Sequence, residues 1–152
     1  MENLKSTGHF QHKTSKWLLF ICLSGALAVA LGAFGAHALE DQLSPKRAEV
    51  YSTANFYHFI HTVLLLSVYL LGTLKGWNSR LLWAGKALGI GLLLFCGSLY
   101  FVATRELLGA ESAGWVGAIT PIGGLAFIFA WILIGLSHTV TSEPTNIKSN
   151  LN

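Results

Sequence analysis

The chain reads as an all-α polytopic membrane protein, a four-transmembrane-helix antiparallel bundle, and three observations predict it. Four long apolar runs open at Trp17, Phe56, Leu81 and Trp115. Each is long enough to cross a bilayer, because a hydrocarbon core of about 30 Å takes roughly 20 helical residues at about 1.5 Å apiece. The stretches Trp17 to Ala36, Phe56 to Leu74, Leu88 to Thr104 and Trp115 to Ser137 carry no Asp, Glu, Lys or Arg. No polar stripe marks a water-facing side on any of them. A transmembrane barrel is excluded by runs such as Leu64-Leu65-Leu66, which break the alternation of a strand.

The elements follow in order. Helices are expected at about 17–37, 45–74, 82–105 and 115–137, within a transmembrane domain of 16–138. The flanking segments 1–15 and 139–152 are rich in Ser, Thr, Asn, Lys and Gln and read as disordered cytoplasmic tails. The first run is longer than the roughly 7–15 residues of a signal-peptide core, so it reads as a retained helix. Ser44-Pro45 marks the start of helix two, with proline at its first position. Helix four leaves the outer surface through Thr120-Pro121, where a kink is expected.

Charge sets the orientation. Lys5, Lys13, Lys16, Lys75, Arg80, Lys86 and Lys148 fall on the side shared by the termini and the middle loop. The opposite side has Lys46, Arg47 and Arg105 among Glu40, Asp41, Glu49, Glu106 and Glu111. The positive-inside rule then places both termini in the cytoplasm and the protein in the cytoplasmic (inner) membrane. Trp17, Trp77, Trp83 and Trp115 lie at run ends, where indole rings prefer the headgroup region. The formal net charge of +3 is spread over helix ends and loops, so no nucleic-acid partner is expected.

Polar residues gather in the outer half. Tyr51, Asn55, His58 and Thr62, spaced by four, three and four, share one stripe of helix two, with His61 on a neighbouring face and His37 closing helix one on the same side. These six form the candidate cluster. Imidazoles in a membrane serve as hydrogen-bonding groups between helices, as proton or solute sites, or as metal ligands. Packing and hydrogen bonding is the favoured role here, because His-Glu-x-x-His and Cys-x-x-Cys spacings are missing and no metal or cofactor is implied. Cys22 and Cys96 lie inside apolar runs and read as small buried hydrophobes. No nucleophile elbow, phosphate loop or paired in-membrane carboxylate supports an enzyme.

Small residues point to close helix packing. Ser24, Ala28, Gly32 and Ala36 run down one face of helix one, Gly85 and Gly89 form a Gly-x-x-x-Gly in helix three, and Gly117, Thr120 and Gly124 make a strip on helix four. Intramolecular packing is the first reading of these positions and a subunit interface the second.

The blocks Leu31-Gly-Ala-Phe-Gly-Ala-His-Ala-Leu39, Thr53-Ala54 with Tyr57-His58 and His61, Gly97-Ser-Leu-Tyr100, and Ile119-Thr-Pro-Ile-Gly-Gly124 ahead of Trp131 resemble the signature of the domain-of-unknown-function family 423. The resemblance covers roughly Trp17 to Leu136. It implies a small four-helix inner-membrane protein of bacteria, with eukaryotic relatives and no established biochemical role. Arg105-Glu106 departs from the smaller, less charged turn the resemblance implies, and a local salt bridge would make it harmless. The function read from the sequence is a non-enzymatic accessory or interaction subunit, working in the lipid bilayer with a second copy or a membrane-protein partner. The alternative is a transporter or channel for a proton, metal ion or small solute, with His37, His58 and His61 lining an outer vestibule.

Overall fold

The structure is a computed structural model, and it describes residues 4–137. Four helices cross the bilayer. Helix α1 runs Leu4–His37, with its apolar span over Lys16–His37, and α2 runs Pro45–Lys75. Helix α3 covers Ser79–Thr104, and α4 covers Glu111–Ser137. No strand occurs among the described residues.

Local chemistry sets the boundaries. Helix α2 starts at Pro45 behind an extended Ser44, where proline's fixed φ suits the first turn and its missing N–H is no loss. It stops at Gly76, whose φ of 92° is open to glycine and strained for other residues. Helix α3 begins ahead of the expected 82 because Asn78 caps it, its side-chain oxygen accepting from the Leu81 N–H at 2.9 Å. One further boundary departs from expectation. Helix α1 begins at Leu4, so residues 4–15, expected as a tail, continue the helix. Residues 1–3 of that tail, and the expected tail 139–152, lie outside the described residues.

Two irregular segments interrupt the spans. Residues Leu92–Cys96 form a π-helical turn inside α3. Helix α4 opens as 3₁₀ turns over Glu111–Ile119 and becomes α-helical from Thr120. Pro121 therefore falls in the first turn of the α-helical part, where proline is tolerated, and the non-helical residue of the segment before it is Ala113, with φ −83° and ψ 31°.

The helices pack mainly in chain order. Helix α1 lies on α2, α2 on α3, and α4 on α3, so α2 and α3 form the centre and much of α1 and α4 faces lipid. The main core joins Ile21, Leu65, Val68, Leu81, Leu88, Leu92, Cys96 and Phe127. A second cluster of Leu39, Tyr51 and Ala103 closes the end of the bundle that carries the 38–44 loop, here the Leu39 end. At the opposite, Trp77 end, Trp17 and Trp77 meet edge to face at 6.2 Å rather than both turning out to lipid. Trp83 and Trp115 are exposed. Arg47 fastens the Leu39 end: its guanidinium donates to the Val102 and Ala103 carbonyls at 3.0 and 3.3 Å and pairs with Glu106. The partner of Glu106 is thus on another helix, not its neighbour Arg105.

Candidate functional site

The small face of α1 and the polar stripe of α2 meet side by side. A Cβ on Gly32 would stand 2.9 Å from Asn55 Oδ1, and one on Gly35 would run into the Tyr51 ring. With no side chains there, α2 reaches the α1 backbone directly. Asn55 Nδ2 donates to the Ala28 carbonyl at 2.7 Å, and the Tyr51 hydroxyl donates to the Leu31 carbonyl at 2.8 Å. Both carbonyls belong to the α1 helix and accept through a second lone pair, so these bonds form without unwinding it.

From Asn55 a chain of hydrogen bonds crosses three helices. Its Nδ2 also donates to the Tyr100 hydroxyl at 3.0 Å, and that oxygen lies 3.4 Å from His58 Nδ1. The other ring nitrogen, Nε2, is 3.1 Å from Ser24 Oγ, which is 2.9 Å from Thr62 Oγ1. One direction satisfies every member. The Ala28 carbonyl can only accept, so the amide nitrogen of Asn55 is fixed, and Tyr100 accepts from it while turning its own O–H to His58 Nδ1. His58 is then the neutral tautomer protonated on Nε2 and donates to Ser24. Tyr51 and Tyr100 support the network edge to face at 5.0 Å.

The six expected residues separate into three groups. Tyr51, Asn55, His58 and Thr62 come together, with Asn55 half-buried and the others buried. His61 is buried elsewhere: Nδ1 donates to the Tyr57 carbonyl at 2.9 Å, and the ring stacks with Tyr57 at 5.5 Å and with Phe127 at 3.6 Å. His37 is exposed at the end of α1. The three imidazoles therefore do not share a vestibule, and among the described residues no group of three His, Cys, Asp or Glu side chains is placed to hold a metal ion. Ser24 and Tyr100 complete the network. Ser24 stood in the sequence as part of the small stripe and Tyr100 in the Gly97-Ser-Leu-Tyr100 block, but only the fold brings their hydroxyls to His58.

The glycines also differ. A Cβ on Gly85 would meet Trp17 at 2.7 Å, whereas Gly117 and Gly124 leave ordinary contact distances to Val102 and Phe95, and Gly89 has nothing within 4 Å. Gly91 and Gly123 lie tighter still, under the Phe127 ring and against the Phe95 backbone, and their spacing carried no motif. A further bridge links α3 to α4, where the Thr120 and Ser98 hydroxyls are 2.7 Å apart and Ser98 donates to the Phe95 carbonyl at 3.0 Å. A cleft of about 380 Å³ between the ends of α1 and α2 reaches Tyr51 and Asn55, with Glu40 and Ser52 also on its lining.

Comparison with known proteins agrees with this architecture. The family model described as "Protein of unknown function (DUF423)" matches residues 31–124. A UPF0382 membrane protein of Staphylococcus epidermidis (strain ATCC 12228) is 39% identical over 119 residues, covering 78% of this chain and 90% of the relative. The UPF0382 membrane protein YwdK of Bacillus subtilis is 38% identical over 119 residues, with coverage of 78% and 91%. One from Haemophilus influenzae is 38% identical over 118 residues, with coverage of 78% and 89%. No solved structure matches. With four membrane-spanning helices and relatives matched over nearly their whole length, the chain belongs to the DUF423 family and is an integral membrane protein.

Proposed function

We propose that the protein is a non-enzymatic accessory or interaction subunit of the cytoplasmic membrane. The observation that supports this reading is the closure of the polar network on itself. Both ring nitrogens of His58 are engaged by neighbours. Beyond Thr62 the interior is filled by Ile21, Leu65, Val68, Leu81 and Leu88, so the polar trail ends in an apolar core. Passage of an ion or polar solute requires polar groups, or water, continuing through the span. The transport alternative would need that core to open.

The surface left for association is the lipid-facing side of α1 and α4, where Leu19, Leu23, Leu27, Ile122, Leu125 and Ile132 are exposed. Membrane helices associate through close packing rather than hydrophobic burial, and a second copy or another membrane protein fits such a surface. Both termini lie in the cytoplasm in this reading, because Lys16, Lys75, Arg80 and Lys86 cluster at the Trp77 end.

Extraction in mild detergent followed by native mass analysis tests the assignment, beside a flux assay on proteoliposomes. A defined complex that survives His58→Leu is the expected result. Proton or metal-ion flux abolished by His58→Leu in a folded protein would replace this reading by the transport one.

A further inference from the structure

Helices α2 and α4 both lean on α3 and leave a groove of about 440 Å³ between them, within the usual range of ligand sites. Its walls are aromatic: Phe56 and Tyr57 from α2, Phe95 from α3, and Phe127 and Trp131 from α4, with Gly124 keeping one wall low. His61 also lines it and is only 7% exposed.

His61 stands on the wall of this groove with one ring nitrogen left without a partner among the described residues. Its Nδ1 is bonded to the Tyr57 carbonyl, which can only accept, so Nδ1 carries the proton and Nε2 keeps a lone pair. Nε2 has no hydrogen-bond partner among the described residues. Tyr57 and Phe127 both stack on the ring, at interplanar angles of 14° and 17°, which leaves the in-plane approach to its edge as the open one for a donor. The residue is buried inside the apolar run that opens at Phe56, where an unmatched acceptor is costly. A donor reaching it from the lipid side comes from a molecule that dissolves in the membrane.

The same stacking discriminates between donors. A metalloporphyrin would bring its plane to about 2 Å from Nε2, perpendicular to the imidazole. Phe127, parallel to that ring at a centroid distance of 3.6 Å, reaches as far as the nitrogen and would meet the macrocycle edge-on. A hydroxyl approaching in the plane of the imidazole at hydrogen-bond distance avoids this, and an aromatic head attached to it would lie along aromatic walls. We propose that the groove binds the head of a quinol-class membrane lipid, with one ring hydroxyl donating to His61 Nε2.

The full chain in lipid nanodiscs can be titrated with decylubiquinol and with a short-chain menaquinol, read by quenching of tryptophan fluorescence. Saturable binding of at least one quinol is expected, with the matching quinone, which has no O–H to donate, bound about tenfold more weakly. His61→Phe keeps the aromatic stack and removes the acceptor, and Gly124→Leu fills the groove with His61 intact; each lowers quinol affinity about tenfold or more while far-UV circular dichroism stays unchanged. The proposal is overturned if neither quinol saturates, if quinol and quinone bind equally, or if dodecanol displaces the quinol. It is also overturned if added haem gives a Soret band that His61→Phe abolishes, which would assign the lone pair to iron.

Discussion

His58 is held from both sides, by Ser24 on α1 and Tyr100 on α3, and each of those hydroxyls is shared by two side chains, the Tyr100 one by Asn55 and His58. Tyr100→Phe removes that shared oxygen and leaves Asn55 Nδ2 and His58 Nδ1 each with one partner fewer. A loss of about 1–2 kcal/mol is expected, at the upper end for hydrogen bonds between membrane helices, measured by reversible unfolding in mixed micelles. Ser67→Ala is the contrast: its hydroxyl donates to the Val63 carbonyl of its own helix and the residue is exposed, so a change below about 0.5 kcal/mol is expected in the same assay. The stripe of Tyr51, Asn55, His58 and Thr62 was legible because a helix fixes which residues share a face. The exclusion of His37 has the same geometric cause. It lies two residues past Gly35, about 200° round α1 from the face that meets α2. His61, three residues past His58, is rotated about 60° from it and so meets α4 rather than α1. Spacing defines faces; which neighbour each face meets is a non-local matter that spacing leaves open.

At the scale of the helix, the two residues of the Gly85 and Gly89 motif separate. Gly85→Leu must displace the Trp17 ring, whereas Gly89→Leu enters open space. Thermal unfolding in detergent is expected to show Gly85→Leu destabilised by about 1–3 kcal/mol and Gly89→Leu near wild type. Gly32→Leu goes further, because it drives α1 away from Asn55 and breaks the bond to the Ala28 carbonyl. Crosslinking between cysteines introduced on the facing sides of α1 and α2 should fall in that variant. The lengths of the spans were readable from charge-free runs and from Pro45. The π-helical turn at Leu92–Cys96 was not, since a run of Leu and Phe has the same composition in either helix type. It lies where Gly91 and Gly123 bring α3 and α4 together, a contact between segments distant in sequence.

Across the whole molecule, Arg47 ties the start of α2 to the end of α3, and its contacts differ in strength. The two backbone carbonyls are half-shielded, while Glu106 is 53% exposed and its pairing is screened by water. Arg47→Ala is expected to cost about 1–2 kcal/mol in micelle unfolding, and Glu106→Gln less than about 1 kcal/mol. The sequence identified Glu106 as an acid needing a counter-charge and looked for it next door; the fold supplies it from fifty-nine residues away. Chain-order packing has a further effect, since the halves of α3 on either side of the π-helical turn serve different neighbours. Leu81 and Leu88 fill the core before it, and Ser98, Tyr100 and Ala103 reach Thr120, His58 and Leu39 after it. The turn acts as a one-residue phase shift in the helical repeat. Because the turn absorbs one extra residue, deleting a single leucine from Leu92–Leu94 would restore an unbroken α-helix with Tyr100 still facing His58, whereas the same deletion made after Cys96, outside the turn, would rotate every later residue of α3 by about 100° and detach Tyr100 from His58 and Arg47 from its carbonyls.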